Sequence, residues 1–161
     1  MAIRLVKMCA FAQDQRSLNF EGPSMLDTAL TSLAGLPAFA AYFALAVILL
    51  LLFIRIYSWV TPHDEFGLIR ANNAAAAIAF GGALLGFAWP LASAITHSMS
   101  LLDCAIWGAV ALVVQLIAFF FSCIALKPLP QRIRDGELSA GLFSACCSVA
   151  IGMLNAAAMT Y

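Results

Sequence analysis

Few side chains in this 161-residue chain could do chemistry, and most of them sit in apolar surroundings. Asp103 is the only formal charge between Arg70 and Lys127, with His97 six residues before it. An acid set among apolar residues is a candidate ion or proton site. Gln115 and Asn155 each place an amide in a long apolar run, where it can bond a neighbouring helix or line a polar path. Asn72 and Asn73 open another such run and can satisfy free helix-end groups. Each acid also has a simpler reading. Ser100-Leu-Leu-Asp103 has the form of a capping box. Thr61-Pro62-His63-Asp64 reads as a helix start, with Thr61 capping, Pro62 at the first helical position and Asp64 reaching back to the cap. Glu65 then adds charge that favours a helix N-terminus. The competing reading makes His63, Asp64 and Glu65 a metal or proton site, but adjacent positions place ligands poorly on one helix face. The five cysteines form no CxxC, and there is no P-loop, GxSxG or HExxH. No catalytic residue, cofactor or metal site is therefore expected, and the chain is not expected to be an enzyme.

The elements that position these residues follow from where charge is missing. The chain is 64% hydrophobic and 10% charged, with a mean hydropathy of +0.98. Soluble domains are roughly 45–50% apolar and 25% charged. Eight basic residues balance eight acidic ones, so no nucleic-acid partner is indicated. Residues 28–54, 71–102, 104–126 and 138–161 lack Asp, Glu, Lys and Arg. Each is long enough for the about 20 residues that a bilayer-spanning helix needs. Backbone inside a bilayer must satisfy its own hydrogen bonds, and no period-2 alternation suggests a barrel. The expectation is an all-α integral membrane domain with spans near 37–59, 71–97, 103–126 and 138–159. Pro90 should kink the second. Arg55, Arg70, Lys127, Arg132 and Arg134 lie on the first and third connections, so loops 60–70 and 127–137 are expected in the cytoplasm and both termini outside. Met25 is a plausible start of the membrane domain. Residues 1–24 are then an extension, and 25–161 the four-helix domain.

The chain matches itself at an offset of 64 residues. Leu68-Ile69-Arg70 falls on Arg132-Ile133-Arg134, Ala92 on Ala156 and Thr96 on Thr160. Residues 25–97 and 98–161 then form tandem two-helix units that cross the membrane in the same sense, with a pseudo-twofold axis along its normal. Spans one and three are bulky. Span two carries Ala75, Ala79, Gly82 and Gly86 on one stripe, and span four carries Gly141, Ala145, Ser148 and Gly152. Small faces let helix backbones approach closely in lipid, so spans two and four are expected to pack centrally. A second small face on span two, with Ala74, Ala77, Gly81 and Ala88, has no use in a monomer and predicts a homo-oligomer.

Taken together, Tyr57, Thr61-Pro62, Glu65, Ile69-Arg70, Asn73-Ala-Ala-Ala-Ala-Ile78, Gly82, Gly86, Ser98-x-Ser100-Leu-x-Asp103 and Gly152-x-Leu-Asn155-Ala-Ala resemble the YjfL family of small bacterial inner-membrane proteins. That is a domain-of-unknown-function family built from a repeated two-helix unit. The resemblance covers about 25–161. It implies an inner-membrane location and association with envelope-stress systems of the phage-shock type, and it supplies no reaction. Two functions remain open on the residues. One is a non-enzymatic membrane component that recruits a cytoplasmic stress protein, with Arg70, Lys127, Arg132 and Arg134 as contacts to an acidic partner or anionic lipid. The other is a small oligomeric channel or transporter using Asp103, Gln115 and Asn155.

Overall fold

A computed structural model describes residues 24–62 and 64–159, so the expected extension and His63 fall outside the described residues except for Ser24. The chain divides into two compact units at Phe39 and Ala40. In the first, Met25–Ala34 forms α1, where the Thr28 and Ser32 hydroxyls donate back to the carbonyls four residues earlier. Sequence reading did not anticipate this helix. Next comes α2, Leu36–Val60.

From Ala40 on, α2 belongs to the second unit, as do the remaining elements. They are α3, Glu65–Arg70, α4, Ala74–His97, α5, Leu101–Ala125, α6, Leu129–Arg134, and α7, Leu138–Ala158. No strand occurs among the described residues. Among the described residues, four segments are long and apolar enough to cross a bilayer: Thr28–Val60, Ala74–His97, Leu101–Ala125 and Leu138–Ala158. The expected spans agree with these within a few residues, except that the first begins at Thr28 and not near 37. The short helices α3 and α6 lie at one end, here termed the charged end, and the α4–α5 turn lies at the other.

The dominant packing is α4 against α7. A Cβ built on Gly82 would strike Ala145, on Gly86 would strike Ser148, on Gly141 would strike Ala75, and on Gly152 would strike the Gly86 carbonyl. The partners ascend together along both helices, so α4 and α7 run parallel. Only small residues permit this backbone contact, which replaces the hydrophobic effect as the source of association in lipid. From α2, long side chains do the packing: Leu49, Phe53 and Tyr57 are buried. Phe53 stacks on Phe87 with ring centroids 4.5 Å apart, and Tyr57 meets Phe119 edge-on at 5.4 Å. Most of the remaining large side chains on α2 are exposed, as lipid contact requires.

Three local expectations need correction. Thr61 is not an N-cap: its Oγ1 donates to the Tyr57 carbonyl at 2.9 Å, extending the end of α2. Asp64 caps α3 instead, accepting from the Gly67 N–H at 3.1 Å. The second long helix begins at Ala74 rather than 71, because Asn72 is left-handed (φ 67°). The same left-handed turn recurs at Gly136 (φ 80°). Asn72 and Asn73 donate to the Ile69 and Leu68 carbonyls, and sixty-four residues on Gly136 and Glu137 donate to those of Ile133 and Arg132. These are Schellman closures, which satisfy carbonyls that a helix end leaves open. The fourth helix of the bundle, α7, starts sixty-four residues after α4.

Candidate functional site

At the charged end, α2 and α3 together bury an acid. Tyr57, Thr61 and Glu65 are spaced by four residues, and all three are buried, Glu65 with only 3% of its surface exposed. Tyr57 sits among Phe53, Phe80 and Phe119, so the wall beside the carboxyl is aromatic. Burial pushes the Glu65 carboxyl up to about 7; the Thr61 and Ser58 hydroxyls lower it, and the neighbouring Asp64 charge raises it further. Charge in such surroundings is expensive, so the carboxyl keeps its proton well above the ordinary carboxylate range. The sequence alone reads Glu65 as charge favouring a helix N-terminus, with a metal or proton site shared with His63 and Asp64 as the competing reading. The four-residue spacing from Tyr57 through Thr61 was the available signal.

Beside this pocket the two short helices are tied together. Asn73 Oδ1 caps α4 by accepting from the Ala76 N–H at 3.0 Å. Its Nδ2 donates to the Ile133 carbonyl at 2.9 Å and to that of Arg134 at 3.1 Å. Arg134 donates in turn to the Pro62 carbonyl. Leu129 and Ile133 are buried with Ala76, Ala79 and Ala140 beneath these links. Arg132 makes an ion pair with Glu137, Nε to Oε2 2.6 Å. Arg70 and Lys127 are exposed. The four basic candidates thus fall into two groups, Arg132 and Arg134 held by the fold and Arg70 and Lys127 displayed.

The remaining polar candidates are scattered. Gln115 is buried at the α4–α7 seam, where Nε2 donates to the Ser148 carbonyl at 3.3 Å and the Ala83 carbonyl at 3.5 Å. Its Oε1 has no hydrogen-bond partner, and neither has Asn155 Nδ2. The interhelical bond expected of the Asn155 amide is therefore not made by its nitrogen. At the end opposite Glu65, Ser100 Oγ accepts from the Asp103 N–H at 3.2 Å and Asp103 Oδ2 accepts from the Met99 N–H at 3.1 Å. Nearby, His97 Nδ1 lies 2.9 Å from the Ser93 carbonyl and 3.0 Å from Thr96 Oγ1, folded back on its own helix. No ion pair joins it to Asp103 among the described residues. Asp103, Gln115 and Asn155 are therefore not assembled into one site. Among the described residues no group of His, Cys, Asp and Glu could hold a metal ion.

A model of the family described as Domain of Unknown Function (DUF350) matches residues 31–159. The chain is similar to the UPF0719 inner membrane protein YjfL of Escherichia coli (strain K12), with 42% identity over 129 residues that cover 80% of this chain and 98% of that protein. It is also similar to the UPF0719 transmembrane protein YshE of Bacillus subtilis (strain 168), with 32% identity over 120 residues, 73% of this chain and 90% of that protein. No solved structure matches.

Proposed function

The chain belongs to the DUF350 family, and from that premise and the build of its charged end we propose a non-enzymatic inner-membrane component that recruits a cytoplasmic partner. The observation that carries this reading is the bracing of α3 and α6 by Asn73 and by the Arg134–Pro62 bond. Bracing makes the two short helices a rigid platform, and rigid platforms suit docking because little conformational freedom is lost on binding. Arg70 and Lys127 are displayed on it, which suits an acidic protein surface. The basic residues at this end support a cytoplasmic position for it by the positive-inside tendency. The resemblance to the YjfL family points to a stress protein of the phage-shock type as the partner. The likeness of α3 to α6, and of their closing turns, supports reading 25–97 and 98–161 as tandem copies.

The test is in-cell photo-cross-linking from positions 70 and 127. The expected outcome is one cytoplasmic protein captured from both positions and lost on Arg70→Glu with Lys127→Glu. Cross-links to lipid alone, unchanged by charge reversal, would remove recruitment.

One observation favours a channel or transporter: Gln115 Oε1 and Ser144 Oγ are buried without hydrogen-bond partners near the seam. Backbone contact closes that seam within a subunit, so a path would have to run between copies. Ion flux through proteoliposomes that exceeds empty vesicles and falls in Gln115→Leu and Asp103→Asn would establish it. Flux equal to empty vesicles would discard it.

A further inference from the structure

We propose that the Glu65 carboxyl is a proton-binding site at the charged end, exchanging its proton with the adjoining aqueous phase. The inference does not depend on the docking reading.

The first support is position. Glu65 is the first residue of α3 and Leu129 the first residue of α6, each helix six residues long. Both residues are buried, at 3% and 0% exposure. Leu129 occupies with carbon the place in α6 that Glu65 holds in α3, and α6 forms and packs without an acid there. A fold that accepts leucine at this position does not require a carboxyl, and burying an ionisable group costs free energy that leucine would not. The acid therefore calls for a chemical reason.

The second support is the setting. The Thr61 and Ser58 hydroxyls neighbour the carboxyl; the Thr61 O–H is given to the Tyr57 carbonyl, so its oxygen is left to accept from a protonated acid. The ionisable groups around it are few. Tyr57 comes from α2 and Asp64 from the N-cap of α3, and Cys123 of α5 lies behind Tyr57; from α6, Arg134 reaches the Pro62 carbonyl on the connecting turn. The nearest ionisable side chain on α4 is His97 at its far end, and α7 offers only Cys146 and Cys147. Its acidic neighbour disfavours charge, as burial does, and both directions keep the proton bound at higher pH than an exposed glutamate would.

The chain has three glutamates, Glu21, Glu65 and Glu137, so the site can be read directly. The full chain, carrying carbon-13 at the glutamate carboxyl carbons, is placed in lipid nanodiscs and titrated by NMR. One resonance should titrate near neutrality. The near-neutral resonance should vanish in Glu65→Gln and persist in His63→Gln, which separates it from imidazole titration. Where Glu65→Gln does not fold, Glu65→Leu, matching the residue at Leu129, provides the same assignment. Three resonances titrating together in the ordinary range would overturn the proposal. So would a near-neutral resonance that survives removal of Glu65.

Discussion

At the residue scale, two side-chain positions make opposite demands on their surroundings. Glu65 has a folded-state pKa raised from 4.5 to about 7 by burial. Between those values the folded state holds more protons than the unfolded one, so stability falls as pH rises. The contribution is fully present below about 4.5 and is lost by the time pH passes 7. The span corresponds to about 3 kcal/mol at 1.36 kcal/mol per pH unit. Thermal unfolding in mild detergent should show this fall as pH rises from about 5 to about 8; Glu65→Leu should flatten it. Gly152 makes the reverse demand, for absence. Adding a single methyl as Gly152→Ala drives it into the Gly86 backbone, and overpacking of this kind costs about 1–3 kcal/mol. Unfolding of that variant by SDS titration should shift to lower denaturant, whereas Gly81→Ala, with nothing within 4 Å of the added carbon, should not shift.

At the element scale, the short turn between α3 and α4 decides where a long helix begins. Asn73 caps α4 and also bonds two carbonyls of α6. Asn73→Ala removes all three bonds, a loss of about 2–3 kcal/mol from one cap and two neutral hydrogen bonds. Equilibrium unfolding should register it, together with weakened protection of amides in α6. Asn72 is left-handed, a conformation that a β-branched side chain resists by roughly 1–2 kcal/mol. Asn72→Val should therefore destabilise by about that amount while Asn72→Gly should not, as the glycine at the same place in the second turn suggests. The existence of the long helices was legible from charge-free length. Their starts were less so, because α3 and the Asn72 turn depend on hydrogen bonds between segments that charge counting does not see.

At the scale of the whole molecule, the open question is what covers the outer face of α4 and α7. Gly81, Leu85, Cys146 and Met153 line a groove of about 550 Å³ there. A second copy is the occupant expected from the small residues that α4 leaves exposed. A Cβ added at Gly81 meets nothing within 4 Å inside the subunit, so Gly81→Leu puts its bulk into the groove where a second copy would lie. Native mass spectrometry from nanodiscs should show an oligomer that Gly81→Leu shifts towards monomer, with unfolding of the single chain unaltered. A monomer at every concentration for both forms would remove the prediction.

Sequence by itself determined the solvent and the class of fold. Runs free of charge and long enough to cross a bilayer must be helices there, because lipid offers the backbone no hydrogen bonds. The small stripes also named the pairing of α4 with α7, since only Gly, Ala and Ser permit backbones to meet. Tertiary structure alone decided the candidate site. Whether Glu65 is solvated or buried depends on how α3 folds back against Tyr57 and Thr61, and a local pattern cannot carry that distance. The same holds for Gln115, whose place in the middle of a helix was readable while its use at the seam was not. An amide's role is set by which carbonyls the neighbouring helices bring within reach.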